Sequence, residues 1–277
     1  MTHKPQPQAT GIDLSDPQVL EVWRQLEKVC DPELDEPITD MGFVELVEID
    51  GDRQVAVSFR LPTYWCSANF AYLMASDIRL QVEKLDWVAR ARVRLEDHMF
   101  EEQVNTGVNE GHSFRKIFAD LAPDQGLDEI REKFRKKAFQ RRQEVILLDL
   151  RARGVSDQQI VAMTLRAFEE LQVDDLVKAR QKTRYQAIIA ELGRVTDLDG
   201  PAFCDYDGNR LDGNDLSEYL SLLRSVRINM EFSGALCRGL LSTRYKELDL
   251  TREEPTLVDF ILDRVPSARS EESVIES

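Results

Sequence analysis

The sequence predicts an α+β protein, in which a small α-β-β-α-β domain with a three-stranded sheet precedes an all-α helical domain. Two observations predict this class. Alternation typical of strands is confined to the first third of the chain, and from Ser113 onward the apolar residues follow helical spacing. The predicted divisions are a disordered lead over 1–13, the α+β domain over 14–98, the helical domain over 112–266 and a disordered acidic tail over 267–277.

The first predicted helix begins at Ser15-Asp16-Pro17-Gln18. Ser15 would cap it, Pro17 suits the first turn and Gln18 would complete a capping box. Apolar residues then occupy one broad helical face: Val19, Leu20, Val22, Trp23, Leu26 and Val29. Because Pro32 cannot continue a helix, we expect this one to end near Cys30.

Three strands are predicted around a second helix. Residues 43–49 and 54–61 alternate, and Asp50-Gly51 between them is typical of a two-residue hairpin turn. A helix over 67–85 follows. The third strand, 88–95, alternates small or apolar residues with arginines, which indicates one packed and one solvated face.

The rest of the chain has no strand pattern. The polar segment 97–111 is predicted to be a linker. Helices are predicted over 113–121, 127–153, 156–172, 174–192, 215–229, 231–247 and 255–265, with a capping box at Ser156-Asp157-Gln158-Gln159.

Charge and hydropathy exclude several functions. The formal net charge of −15 repels nucleic acid and anionic lipid, so neither is an expected partner. No apolar run reaches the ~18–20 residues that span a bilayer, and the polar start lacks a signal-peptide core, which favours the cytoplasm. The basic run from Arg131 to Arg142 is interpreted as a solvated helix face with interleaved acids rather than a nucleic-acid patch.

The motifs argue against several kinds of cysteine site and several classes of enzyme. The four cysteines form no CxxC pair, which argues against a disulfide framework and a self-contained zinc ribbon. The sequence also has no phosphate loop, GxSxG or GxGxxG motif, so an ATPase, a hydrolase or a dehydrogenase has no support.

Two short segments carry the candidate site: Cys30-Asp31-Pro32-Glu33-Leu34 and Pro62-Thr63-Tyr64-Trp65-Cys66-Ser67. We expect both to leave the sheet at one edge and to bring a thiol, a hydroxyl and two carboxylates together. Cys66 precedes a predicted helix, whose positive N-terminus would favour the thiolate. Cys66 and Asp31 are the candidate metal ligands; Glu33 could add an oxygen ligand, and Thr63 could orient the loop.

Each of these residues also has a structural interpretation. Cys66 could be a small buried hydrophobe. Asp31 could be a turn residue that bonds its own backbone after the helix. Cys30 could be a second ligand, although a buried cysteine at a helix end is favoured.

The remaining candidates are weaker. Tyr64 and Trp65 could shield the thiol, form a docking pocket for a partner, or simply pack. His98 is interpreted as a surface histidine rather than a ligand. Cys204 and Cys237 are assigned to core packing.

Residues 16–96 resemble the small domain family shared by the SufT and PaaD accessory proteins and the cytosolic iron–sulfur targeting factors. The resemblance is carried by Asp31-Pro32-Glu33-Leu34, Ile38-Thr39-Asp40-Met41-Gly42-Phe43-Val44, the Asp50-Gly51 hairpin, Thr63 and Cys66. It implies a non-catalytic accessory factor that assembles an iron–sulfur or iron centre. Cys66 would be the transient ligand of that centre, and the carboxylates of Asp31 and Glu33 would modulate how the thiol binds it.

The resemblance also implies the cargo and the partners. The cargo would be a transient iron ion or iron–sulfur cluster. The partner would be a client metalloenzyme, such as a bacterial oxygenase component, or an assembly-machinery protein, and the helical domain would select it or form a homodimer. The rival hypothesis is a protein-interaction or chaperone module without metal chemistry. An enzyme with Cys66 as nucleophile ranks last, because no histidine is well placed in sequence.

Overall fold

We describe residues 12–119, 127–173, 175–194 and 197–245 from a computed structural model of the chain. The predicted helix over 255–265, the tail over 267–277 and nearly all of the lead over 1–13 lie outside these residues. Within the described ranges, no helix is both long and apolar enough to cross a membrane.

Helix α1 spans Pro17–Leu26 and packs Val19, Val22 and Leu26 into the core. Its N-cap is Asp16, whose carboxylate accepts hydrogen bonds from two backbone amides of the first turn. The prediction of Ser15 as the cap is therefore wrong: Ser15 bonds the side chain of Asp13 instead.

A three-stranded mixed sheet forms the centre of the N-terminal region, which confirms the α+β class. Its strands, in the order β1-β2-β3, are Val44–Ile49, Gln54–Arg60 and Arg90–Glu96. The first pair is antiparallel, and helix α2, Ala68–Val82, is the crossover that makes the second pair parallel. On β3 the alternate residues Ala91, Val93 and Leu95 are buried and the arginines between them are exposed, as predicted.

The hairpin turn is longer than the two residues predicted. The amide of Asp50 bonds the carbonyl of Gln54, and the Asp50 carboxylate accepts from the amides of Asp52 and Gln54. Arg53 completes the turn with a φ of 60°. The Asp50 side chain thus stabilises a wider loop than the Asp-Gly pair alone requires.

Helix α3, Glu101–Asn109, replaces the predicted linker, so that prediction is wrong. Val104 and Val108 face the core. The side chains of Asn105 and Asn109 bond the backbone N–H and C=O groups of Leu95 and Val93 on β3. The polar residues that suggested a linker therefore satisfy the open edge of the sheet.

The remaining elements are helices: α4 Phe114–Ile117, α5 Leu127–Ala152, α6 Asp157–Val161, α7 Leu165–Glu170, α8 Leu176–Glu191 and α9 Leu216–Tyr245. The capping box at Ser156 is present. The single helix predicted over 156–172 is interrupted, because Thr164 forms a bridge with Pro201 and caps α7. The two helices predicted over 215–229 and 231–247 are one continuous helix, α9.

The described residues form two hydrophobic cores. The first contains α1, the sheet, α2 and α3, and extends to Phe118; the second is built from α5 to α9. Helix α9 contributes to both: Leu223 is buried in the second core, whereas Cys237 and Leu241 pack against the first. The domain boundaries at 98 and 112 remain a prediction.

Candidate functional site

The Asp31 loop, residues 30–37, is a tight turn between α1 and β1. Asp31 Oδ1 accepts hydrogen bonds from the amides of Glu33 and Leu34, both at 2.9 Å, and the Asp31 carbonyl accepts from Asp35. This geometry is that of a turn residue bonding its own backbone. Asp31 is 7 % exposed, and this burial raises the pKa of its carboxyl to about 6, although the two amides oppose the shift.

The Cys66 loop, residues 62–67, lies between β2 and α2. The Cys66 Sγ is 3.0 Å from the Thr63 Oγ1, and the Cys66 amide donates to the Thr63 carbonyl. The thiol is half-buried, and α2 begins two residues later at Ala68. Cys66 is therefore a half-buried thiol that packs against the first core and is oriented by the hydroxyl of Thr63.

His98 is buried and supports the Cys66 loop, so its interpretation as a surface histidine is wrong. The Phe100 amide donates to Nδ1 at 3.1 Å, which leaves Nε2 to donate to the Cys66 carbonyl at 2.9 Å. Burial lowers the pKa of His98, which favours this neutral form. Because both ring nitrogens are engaged, His98 neither ligates a metal nor takes the Cys66 proton in this state.

Aromatic side chains form an exposed lip beside the thiol. Trp65 is 72 % exposed and Tyr64 46 % exposed, so packing does not explain Trp65. The amide of Met99 donates to the Tyr64 carbonyl, and the guanidinium of Arg244 lies 5.8 Å from the centre of the Tyr64 ring. This lip is a surface that a partner can reach.

An arginine clamp from the helical region holds the Asp31 loop; it consists of Arg141, Arg142, Arg184 and Arg238. Arg142 is 1 % exposed, pairs with the Asp35 carboxylate and donates a hydrogen bond to the Asp35 backbone carbonyl. Burial lowers the pKa of Arg142 to about 9, with Arg184 adding to the shift. The interpretation of the basic run from Arg131 to Arg142 as a solvated helix face is therefore wrong for its C-terminal end.

The other clamp residues reach neighbouring groups. Arg141 and Arg238 both bind the Glu36 carboxylate, at 3.1 and 2.6 Å. Arg184 donates to the Asp35 carbonyl and to the Cys30 Sγ at 2.8 Å. Cys30 is thus engaged with an arginine, and its burial raises the pKa of its thiol.

Cys237 on α9 packs against the first core, which agrees with its assignment to core packing. It is half-buried, and burial followed by the charges of Asp31, Cys66 and Glu33 raises the pKa of its thiol to about 11. Helix α9 reaches both loops, since Arg238 binds Glu36 and Arg244 lies over the Tyr64 ring. No sequence spacing connects α9 to either loop, so no local signal predicted these contacts.

The described residues contain no group of three or more His, Cys, Asp or Glu side chains close enough to hold a metal ion. The pairing of Cys66 and Asp31 as metal ligands, with Glu33 and Thr63 in support, accordingly remains a prediction. The geometry offers a half-buried thiol oriented by the Thr63 hydroxyl and, in the other loop, a buried carboxyl at Asp31.

Comparison with known proteins agrees with the N-terminal motifs. Residues 20–94 match the model of a family described as iron-sulfur cluster assembly protein. An uncharacterized protein of Methanocaldococcus jannaschii is 29% identical over 90 residues, which cover 32% of this chain and 93% of that protein. No solved structure matches. The resemblance seen in the sequence is thus confirmed: residues 20–94 are similar to the iron–sulfur cluster assembly family, and the helical region lies outside the match.

Proposed function

We propose that this chain is a non-catalytic accessory factor that matures the iron–sulfur or iron centre of a client enzyme, with Cys66 as the transient ligand of the cargo. The observation that supports this most directly is the half-buried Cys66 thiol, 3.0 Å from the Thr63 hydroxyl, inside a domain that matches the assembly family. Thiolates are the ligands that iron–sulfur clusters prefer.

A site with so few protein ligands suits the transfer of a metal centre to another protein rather than its storage. A resident iron–sulfur cluster is commonly held by four cysteines, which the described residues around Cys66 do not supply. A cargo bound by fewer ligands can pass to a client that completes its coordination. In this proposal, Asp31 and Glu33 place negative charge near the cargo, and Thr63 donates a hydrogen bond to the thiolate.

The exposed lip supports contact with another protein. Trp65 offers a large aromatic surface beside the thiol, and such side chains are enriched at the centres of interfaces. The proposed client class, a di-iron or iron–sulfur oxygenase component of a bacterium, rests on the sequence resemblance alone. The proposed compartment is the cytoplasm, where thiols stay reduced.

Anaerobic reconstitution of the full chain with ferrous iron and sulfide tests the role of Cys66. We expect visible cluster absorption from the wild type and its loss in Cys66→Ala. Cys204→Ala is the matched control, because Cys204 is buried away from the loops and faces Arg194. Circular dichroism of each variant reports whether it folds.

Two results would reject the proposal. Equal absorption in the wild type and Cys66→Ala would remove Cys66 from the chemistry. An absence of absorption in the wild type would favour the rival function, a protein-interaction or chaperone module without metal chemistry.

A further inference from the structure

The side of helix α9 that faces away from both cores carries a row of exposed apolar side chains. Ile228, Phe232, Leu236 and Leu240 follow one another at intervals of four residues, which places them on one ridge of the helix, the outer ridge. Phe232 is 71 % exposed and Leu236 is 52 % exposed. In the part of the chain that the structure describes, no element covers the outer ridge.

The outer ridge is uncharged, and so are the exposed residues along its centre. Ser225, Asn229 and Ala235 lie on the same side of the helix, although 31% of the residues of the chain are charged. Glu231, at the border of the ridge, is paired with Arg227 of the same helix at 3.0 Å. A helix side that meets only water is normally rich in charged residues, whereas a row of exposed apolar side chains marks a contact surface.

The shape and size of the outer ridge fit one further helix. The stretch from Ile228 to Leu240 rises by about 18 Å, and ridges of this kind pack along the groove of a neighbouring helix. The four apolar side chains and the uncharged residues beside them offer on the order of 500 Å² of surface, which is at the low end for one partner of a specific interface. We therefore expect a contact that forms and dissociates with concentration.

Two properties favour a second copy of this chain as the source of that helix. The four apolar residues are evenly spaced about a midpoint between Phe232 and Leu236. An antiparallel copy of α9 would thus place Phe232 against Leu236 of the second copy and Ile228 against Leu240 of the second copy. The net charge of −15 makes two copies repel each other over most of their surfaces, and at the uncharged ridge they can meet without opposing like charges.

We propose that the outer ridge of α9 joins two copies of this chain as an antiparallel helix pair about a two-fold axis. This inference goes beyond the maturation function and does not depend on it. Arg244, one turn beyond Leu240, lies over Tyr64 of the Cys66 loop, at about 15 Å along the helix from the midpoint of the ridge. The two Cys66 loops therefore lie at opposite ends of the pair, roughly 30 Å apart along the helix axis, and each copy keeps its own exposed Trp65.

Sedimentation equilibrium of the full, reduced chain, from low to high micromolar concentration, tests the contact. We expect a reversible equilibrium between monomer and dimer. Phe232→Glu should weaken dimerisation at least about tenfold, because each copy would bury an acid against an apolar side chain. The control is Leu176→Glu, which adds the same charge at an 86 % exposed leucine of α8 and should dimerise as the wild type does.

Three results would overturn the proposal. The wild type could stay monomeric at every concentration, or Phe232→Glu could dimerise as the wild type does. Equal weakening in Leu176→Glu would trace the effect to the added charge rather than to the ridge. Because Phe232 and Leu176 are both exposed, we expect circular dichroism to show that both variants fold.

A charge-pair experiment tests the antiparallel arrangement. Ile228→Glu and Leu240→Lys should each weaken dimerisation. The double variant should recover part of it, because an antiparallel pair sets the new acid of one copy against the new base of the other. A parallel pair would oppose like charges instead, so a double variant that dimerises no better than either single variant would overturn the antiparallel arrangement.

Discussion

The Asp31 loop and the Cys66 loop lie near the same helix, yet they are held in opposite ways. Four arginines of the helical region grip the Asp31 loop from outside its domain, with Arg142 fully buried. The Cys66 loop is held mainly from within the N-terminal region, by His98, and from the helical region Arg244 of α9 lies over its Tyr64 ring; Trp65 stays in solvent. The acidic loop is thus the more heavily bonded to the helical region, and the sulfur loop keeps an exposed aromatic side chain that a partner can reach.

Breaking the clamp should have the largest effect. Replacing Arg142 with alanine leaves Asp35 beside a cavity without its buried partner, and such losses cost about 3–5 kcal/mol of unfolding free energy. Urea denaturation measures this. Arg135→Ala, which removes a surface arginine of the same helix, should change stability by no more than about 0.5 kcal/mol. Matching midpoints for both variants would show that the clamp does not hold the two regions together.

Removing the support of the Cys66 loop should have an intermediate effect. His98→Leu leaves the Cys66 carbonyl and the Phe100 amide without their partner, at a cost of roughly 1–3 kcal/mol. It should also weaken Cys66-dependent cluster absorption after reconstitution. The control is His112→Leu, because the His112 ring is partly exposed and contacts only the exposed Glu110 among the ion pairs of the described residues. If both variants reconstitute alike, His98 does not position the thiol.

Replacing Asp31 with asparagine should change the free energy of unfolding least, by an amount that depends on pH. The folded pKa of about 6 lies above the ordinary aspartate value of 3.8, so the folded state holds this proton more tightly. As pH rises from about 4 to 6, the free energy of unfolding of the wild type should therefore fall relative to that of Asp31→Asn. Above pH 6 the difference should level off at roughly 1 kcal/mol, because the Asn oxygen accepts weaker hydrogen bonds from the two backbone amides than the carboxylate does.

Urea midpoints across this pH range measure the Asp31 effect. Asp52→Asn, at an exposed position in the hairpin turn, is the matched control for the change of a carboxylate to an amide. A wild type that gains stability over Asp31→Asn between pH 4 and 6 would mean that the Asp31 carboxylate is better stabilised than its burial indicates.

Local patterns predicted most of the N-terminal fold. Alternation located all three strands within two residues, because one face of each strand must be buried and the other solvated. The same logic failed for α3, whose Asn105 and Asn109 look like linker residues in the sequence and bond the sheet edge in the structure. It also failed for Arg142, since a charge is interpreted as solvated until its buried partner is known.

By itself, the sequence determined the α+β class, the order of elements up to β3 and the two loops that carry Asp31 and Cys66, because each depends on residues that are near one another in the chain. Only the tertiary structure decided that α9 reaches both loops, through Arg238 and Arg244, and that the end of the basic run binds the acidic turn. Such contacts join residues far apart in sequence, and their energy depends on burial and charge pairing, which no local pattern encodes.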